Sequence, residues 1–159
     1  MAESFIITGD SKEEKYSSLI PQLRMLINGE ADMVANMANI AAALKQTFGF
    51  FWVGFYIVKG DMLVLGPFQG SVACTRISFG RGVCGMAWKE RQTVIVPDVE
   101  LFPGHIACSN ESKSEIVVPV FENDKVIAVL DIDSDALNSF DQIDSTFLEI
   151  IVKEISLIK

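Results

Sequence analysis

Apolar residues recur at steps of three and four in three stretches of the chain, which is the spacing of an amphipathic helix. The first stretch includes Leu19 and Leu23 and stops at Asn28-Gly29, a dipeptide typical of a helix end. The pattern therefore predicts two helices in the N-terminal third and one at the C-terminal end. The second helix is predicted over residues 31–47, and the last helix from Phe140 onward.

Between these helices, aromatic and β-branched residues alternate with polar ones and are bounded by turn residues, as in β-strands. Strands are predicted over residues 51–58, 62–68, 93–96, 115–121 and 125–133. Two stretches lack a regular period. The glycine-containing segment 70–85 leads into a short helix over 83–90, and the long loop 98–114 is of a length that is usually functional. These elements predict an α+β fold: one domain over residues 1–159, with a central, mainly antiparallel sheet, helices on one face and ligand-binding loops on the other.

Composition supports a globular domain and excludes some partners. Half of the 159 residues are apolar and 21% are charged, which suffices for a sizeable core. Thirteen basic and 21 acidic residues give a formal charge of −8, which argues against binding nucleic acid or anionic membranes. The N-terminus has neither a basic region nor a long apolar run, so a cytoplasmic location is expected.

Carboxylates cluster on one face of the predicted hairpin at residues 115–133. Alternation along its second strand places Asp131 and Asp133 on the face opposite to Leu130. A three-residue loop would set Glu115 opposite Asp131, whereas a two-residue loop would place the two on different faces. The three-residue loop is favoured, because it also aligns the apolar residues of both strands.

Three neighbouring carboxylates repel one another unless a positive group lies among them or one stays protonated. They predict either a solvated acidic edge or a seat for an ammonium group or a metal ion. An amine is the better candidate, since the chain has no calcium-type loop. Trp52 and Tyr56 share one strand face and could wall an apolar or cationic group, or they could be ordinary core residues.

The chain has three cysteines, Cys74, Cys84 and Cys108, and no C-x-x-C motif, which argues against a thioredoxin-like site or a paired zinc knuckle. His105 precedes Cys108 by three residues, so a structural zinc site with three cysteines and one histidine stays an alternative. Buried, inert thiols are a further alternative.

Two features favour redox chemistry for these cysteines. Cys84 is expected at the start of a helix beside Arg81, and both the helix N-terminus and Arg81 would favour its thiolate. Cys108 has His105 nearby, and Lys113 follows five residues later. A low-pKa thiol with a second thiol in reach suits reversible oxidation through a sulfenic acid and a disulfide. A hydrolytic Cys-His nucleophile is the other chemical possibility.

Seven segments together carry a specific resemblance. They are WVGFY at 52–56, LGPFQG at 65–70, AC at 73–74, GRGVCG at 80–85, FPGHIAC at 102–108, SEIVVP at 114–119 and VLDIDS at 129–134. In this order they resemble the free methionine-(R)-sulfoxide reductases, a family of single GAF domains. One departure is visible, since Ser109-Asn110 follows the last cysteine where the family is expected to have an aspartate.

The resemblance implies a thioredoxin-dependent oxidoreductase that acts on free methionine-(R)-sulfoxide, protects against oxidative stress and needs no metal or cofactor. It implies that Cys108 is the nucleophile and Cys74 the resolving cysteine, and that Cys84 has an attacking or auxiliary role. The substrate-binding residues that it implies are Trp52, Tyr56, Glu115, Asp131 and Asp133. A homodimer is a further possibility. The alternative is a non-catalytic GAF module that binds a small ligand or senses redox state.

Overall fold

The computed structural model describes residues 4–106 and 108–157. Its elements in chain order are α1 (Lys12–Ile27), α2 (Met33–Phe48), β1 (Trp52–Lys59), β2 (Met62–Gln69), β3 (Arg76–Ser78), α3 (Gly82–Glu90), β4 (Val94–Val96), a 3-10 turn (Val99–Leu101), β5 (Ser114–Glu122), β6 (Lys125–Ser134) and α4 (Gln142–Leu157). Among these helices, none has the length and apolar character needed to span a membrane.

The strands form one six-stranded sheet in the order β3-β2-β1-β6-β5-β4, and every neighbouring pair is antiparallel. The predicted α+β class with an antiparallel sheet is therefore confirmed. β3 was missed, because three residues with a single buried side chain give no readable alternation. The two long central strands, β1 and β6, carry four of the eight candidate site residues.

Helices α1, α2 and α4 cover one face of the sheet and form the larger core with residues such as Val53, Phe55 and Leu130. A buried polar contact fastens α1 to α4 within this layer. Asp144 is 1% exposed, and it accepts hydrogen bonds from the Tyr16 hydroxyl at 2.8 Å and from Lys12 Nζ at 2.6 Å. The prediction of helices on one face holds for these three helices.

The opposite face carries a second, smaller core under α3 and the loops. Its members include Tyr56, Val117 and Val129, which alternate with residues of the first core along the same strands. Both faces of the central strands are therefore buried, and α3 lies on the loop side. Polar side chains on that side are enclosed, which sets the environment of the site.

The register of the β5–β6 hairpin differs from the prediction. The turn has two residues, Asn123 and Asp124, both at positive φ (48° and 63°), a conformation that suits tight hairpins. That turn alone would pair Glu115 with Ile132, but a bulge between Val120 and Phe121 shifts the pairing by one residue. Glu115 consequently pairs with Asp133 instead of Asp131, and the shift keeps all three carboxyls on one face.

Candidate active site

One cleft on the loop side brings together residues that are far apart in the sequence. β1 contributes its aromatic wall, β5 and β6 its acidic floor, α3 one side, and the 98–114 loop its rim. Seven of the eight predicted site residues line it: Trp52, Tyr56, Cys84, Cys108, Glu115, Asp131 and Asp133. The eighth, Cys74, is joined covalently to Cys108.

A disulfide links Cys74 to Cys108 at the rim of this cleft. The two Cα atoms are 5.5 Å apart, within the ordinary range for a disulfide, and 34 positions separate the residues in the chain. Cys108 is exposed, while Cys74 is partly buried. This is the pair that the resemblance implied, and it lies where an external thiol can reach a sulfur atom.

The aromatic wall is packed closely. The Trp52 ring stacks on Phe68 at 5.3 Å between centroids and lies 6.1 Å from the Tyr56 ring. Gly54 lies between the two site aromatics on β1, and a Cβ there would come within 2.7 Å of Trp52 Cη2 and overlap Phe68. The absent side chain therefore gives the indole its place beside the cleft.

The acidic floor is enclosed, so of the two alternatives that the sequence left open, the solvated acidic edge does not hold. Glu115 and Asp131 are each 6% exposed, and Asp133 is partly buried. Asp131 Oδ1 is enclosed and has no hydrogen-bond partner among the described residues. A buried carboxylate oxygen of this kind would be satisfied by a donor that comes with a ligand.

Burial raises the pKa of all three carboxyls, because it penalises their charged forms. It raises the pKa of Asp131 to about 6, although hydrogen bonds from Glu115 and Cys84 act in the opposite direction. Burial and the charge of Asp131 raise the pKa of Glu115 and of Asp133 well above their ordinary values. The floor thus combines a carboxyl that ionises below neutrality with two neighbours that are biased toward the protonated form.

Cys84 does not have the environment that the sequence predicted. It is 3% exposed, and burial together with the charges of Asp131, Glu115 and Asp133 raises its pKa well above the ordinary value. The prediction that Arg81 and the N-terminus of α3 favour a thiolate is therefore wrong. The helix begins at Gly82, one residue before its predicted start, and it directs Cys84 toward the acidic floor.

His105 lies at the rim, with Nε2 3.9 Å from Glu115 Oε2. Burial lowers the pKa of His105 below its ordinary value, so the ring is neutral at pH 7 and the contact is not an ion pair. The zinc set of three cysteines and His105 is not formed in this state, because two of its sulfurs are bonded to each other. Cys84, Glu115 and Asp131 place ligand atoms within 4.8 Å of one another, a spacing that could also accommodate a metal ion.

Several lining residues were not predicted from the sequence. Ser112 donates a hydrogen bond to Asp133, which opposes the rise in the pKa of that carboxyl. Ser71 also lines the cleft, as does Arg81, which the sequence had singled out only for its expected effect on Cys84. Ser112 carried no signal of its own, since the 98–114 loop has three other serine and asparagine residues at 109, 110 and 114. Only the fold places it beside β6.

The cleft can therefore hold a small molecule that presents a cationic or hydrogen-donating group to the acidic floor and an apolar group to the indole. It also has a disulfide-bonded pair of cysteines at its rim. A floor with raised pKa values can donate a proton as well as accept a hydrogen bond. These capacities suit the reduction of a small polar substrate by a thiol.

Known proteins resemble this chain in sequence and in fold. A GAF domain family model matches residues 29–158. GAF domain-containing protein A of Dictyostelium discoideum is 59% identical over 154 residues, which are 96% of this chain and 98% of that protein. Free methionine-R-sulfoxide reductase of Saccharomyces cerevisiae is 43% identical over 155 residues, or 92% of this chain and 86% of the yeast protein.

Solved structures agree with these relatives. The X-ray structure of free methionine-R-sulfoxide reductase from Neisseria meningitidis in complex with its substrate has a TM-score of 0.94 to this structure. The two sequences are 50% identical, and the match covers 96% of this chain and 93% of the Neisseria chain. The chain is thus a GAF-domain protein and belongs to the free methionine-R-sulfoxide reductases.

Proposed function

We propose that this protein reduces free methionine-R-sulfoxide to methionine, with Cys108 as the nucleophile and Cys74 as the resolving cysteine. The observation that carries the proposal is the Cys74–Cys108 disulfide at the rim of a cleft whose floor holds the carboxyls of Glu115, Asp131 and Asp133. Relatives that bear the name of this activity are 43% to 50% identical to this chain, and the Neisseria meningitidis protein has the same fold.

The acidic floor gives a reason for selecting the free amino acid. A free methionine sulfoxide carries an ammonium group that can bond to the unpartnered Asp131 Oδ1. In a peptide the same nitrogen is an amide, which has no positive charge to offer a buried carboxylate. Trp52 and Tyr56 are buried beside this floor and form the wall for the methyl end of the substrate.

The floor also supplies the proton that the reaction needs. A sulfoxide sulfur is a poor electrophile until its oxygen accepts a proton or a strong hydrogen bond. Glu115 and Asp133 are the candidates for this donor, because burial and the charge of Asp131 bias both toward the protonated form. Asp131 is the candidate for the ammonium partner, since its pKa of about 6 leaves it ionised at neutral pH.

In the proposed reaction, the Cys108 sulfur attacks the sulfoxide sulfur while the oxygen is protonated. The S–O bond of the substrate breaks, methionine leaves, and Cys108 becomes a sulfenic acid. The Cys74 thiol then displaces the sulfenic oxygen as water and forms the disulfide. The substrate gains two electrons, and the two cysteines lose them. The disulfide-bonded protein corresponds to the last of these steps.

A dithiol protein of the thioredoxin type would return the disulfide to the reduced state, since exposed Cys108 offers a sulfur to an incoming thiolate. The cycle needs a compartment in which such a protein is kept reduced, which supports a cytoplasmic location. A homodimer is also proposed, because Met25 and Val34 on the N-terminal helices are 76% and 52% exposed. Sedimentation of the purified protein measures the oligomeric state.

The nucleophile is tested by Cys108→Ser, assayed with free methionine-R-sulfoxide and dithiothreitol. Turnover should fall to background, because serine cannot form a sulfenic acid. Cys84→Ser is the matched control. It should still turn over the sulfoxide, because Cys74 and Cys108 are both intact. Full turnover by Cys108→Ser would refute the assignment of the nucleophile.

Selectivity is tested by comparing free R-sulfoxide, free S-sulfoxide and a peptide-bound sulfoxide with thioredoxin as the reductant. Only the free R form should be turned over. Equal turnover of the peptide would refute the role of the ammonium group. A protein that only binds a ligand would release no methionine in any of these assays.

A further inference from the structure

The segment at residues 70–75, called the resolving loop below, carries Cys74 and has little core of its own. It has no helix or strand, Ser71 and Val72 are exposed, and Val72 is 89% exposed. Ala73 and Cys74 are partly buried against the second core, so the loop is held by these contacts together with its hydrogen bonds. The position of Cys74 therefore depends on a few identifiable contacts.

Two side chains of β1 hold this loop by its carbonyl groups. The Tyr56 hydroxyl donates a hydrogen bond to the backbone oxygen of Cys74 at 2.9 Å. Trp52 Nε1 donates to the backbone oxygen of Ser71, also at 2.9 Å. At the far end of the loop, the Leu65 amide donates to the backbone oxygen of Thr75 at 2.9 Å.

The start of the loop lies directly against the indole. Gly70 has φ +144°, and a Cβ built there would come within 2.5 Å of Trp52 Cδ1 and 3.3 Å of the Phe51 backbone oxygen. Only glycine allows this approach together with this backbone conformation. The aromatic wall of the cleft therefore touches the resolving loop at its start and at Ser71 and Cys74.

We propose that the Tyr56 hydroxyl is a positioning group for the resolving cysteine, which it holds in reach of Cys108 through the Cys74 backbone oxygen. The proposal rests on the proposed function and adds a second role to a residue of the substrate wall. The Tyr56 ring faces the cleft, whereas its hydroxyl is committed to the loop. Burial and nearby Asp131 raise the pKa of Tyr56 above its ordinary value, so the hydroxyl stays a donor.

The step that this contact serves is the condensation of the two cysteines. The Cys74 sulfur bonds to the Cys108 sulfur, the S–O bond of the sulfenic acid breaks, and the oxygen leaves as water with the thiol proton. The reaction is intramolecular, so its rate depends on how often Cys74 occupies the productive position. A loop freed from Tyr56 would occupy that position less often.

Tyr56→Phe keeps the ring and removes only the hydroxyl. Reduced protein is treated with one equivalent of hydrogen peroxide, which oxidises Cys108 to the sulfenic acid and yields water, in the presence of dimedone. Dimedone traps the sulfenic acid, so the ratio of Cys108 adduct to disulfide reports the condensation rate, whatever the rate of oxidation. The ratio should rise by about three- to tenfold, the effect expected of one buried hydrogen bond.

Tyr16→Phe is the matched control, because it removes a buried hydroxyl that bonds to Asp144 in the helical layer. It should lower the urea midpoint without changing the adduct ratio. Gly70→Ala is a second perturbation that leaves Tyr56 intact and pushes the loop away from the indole. Like Tyr56→Phe, it should raise the ratio of Cys108 adduct to disulfide.

An adduct ratio that stays at the wild-type value in Tyr56→Phe would overturn the proposal, as would an equal rise in Tyr16→Phe. The peroxide assay uses no methionine sulfoxide, so its outcome is independent of the proposed function. Release of methionine by the wild-type protein tests that function separately. Failure of the positioning role of Tyr56 is therefore distinguishable from failure of the proposed reductase function.

Discussion

Replacing Asp131 by asparagine should stabilise the protein at neutral pH, although it removes a residue of the proposed site. Asp131 lies on the buried floor of the cleft, and burial raises its pKa from 3.8 to about 6. The raised value means that the folded protein holds the neutral carboxyl more tightly than the unfolded chain does. Asparagine has nearly the same shape as the neutral carboxyl and no charge.

The magnitude and the pH range follow from this rise. A change of one in pKa corresponds to about 1.4 kcal/mol, so the ionised form of Asp131 destabilises the fold by about 3 kcal/mol. The stability that the neutral form contributes is fully present below about pH 4, where both states are protonated. This contribution is lost as the pH rises through about 6, because Asp131 then ionises in the folded protein as well.

The assay is urea unfolding of the oxidised protein at pH 4 and at pH 8. Asp131→Asn should exceed the wild type by about 3 kcal/mol at pH 8 and match it at pH 4. Its kcat/KM for the free sulfoxide should fall by about 30-fold or more, because a buried ion pair with the substrate is lost. A gain in stability with a loss of activity is the behaviour expected of a residue kept for function.

Asp144→Asn is the matched control, because Asp144 is also a buried carboxyl but has partners. It accepts hydrogen bonds from Lys12 Nζ and from the Tyr16 hydroxyl, so its replacement should destabilise the fold by about 1–3 kcal/mol at pH 8. A loss of stability in Asp131→Asn at pH 8, or an equal gain at both pH values, would refute the reasoning.

Three further predictions concern the walls, the floor and the third cysteine of the cleft. Gly54→Ala should weaken substrate binding and lower the urea midpoint, because its Cβ overlaps the packed aromatic wall; KM and tryptophan fluorescence measure the displacement. Ser112→Ala should raise the pKa of Asp133 further, because it removes a hydrogen bond to that carboxyl. If Asp133 is the proton donor, the alkaline limb of the pH profile of kcat/KM should then move to higher pH. An unchanged alkaline limb would assign the role of proton donor to Glu115. Cys84 should stay unreactive toward a thiol reagent in the reduced native protein and react only after unfolding, because it is buried and its pKa is raised; rapid modification of a third thiol in the native state would contradict this.

Alternation along the sequence predicts much of the acidic floor. Asp131 and Asp133 must share a strand face whatever the register, and the structure confirms that face. Their pairing with Glu115 was not predictable, since it depends on both a two-residue turn and a bulge. Each of these changes the register by one residue, and neither has a clear signature in the sequence.

The pKa of Cys84 depends on residues that are distant in the sequence. The start of α3 and Arg81 were visible in the sequence and favoured a thiolate. The three carboxyls that reverse this effect come from strands 31 to 49 positions further along the chain. The pKa of a buried group is set by all its neighbours in space, so a prediction from sequence neighbours alone had the wrong sign.

The contacts of the resolving loop were likewise outside the reach of sequence reasoning. Trp52 and Tyr56 were recognised as wall residues from their spacing on one strand. That their polar atoms bond to Ser71 and Cys74 follows from the hairpin that folds this loop back over β1. A bond from a side chain to a backbone oxygen leaves no trace in the identity of the accepting residue.

Reduction of free methionine-R-sulfoxide by Cys108 and Cys74 is tested most directly by a single-turnover measurement with no external reductant. Fully reduced protein is mixed with excess free methionine-R-sulfoxide, and methionine and free thiols are both counted. Each chain should release about one methionine and lose about two thiols, with the new disulfide mapped to Cys74 and Cys108. Release of no methionine, or methionine release with a disulfide that includes Cys84, would contradict the proposed reaction.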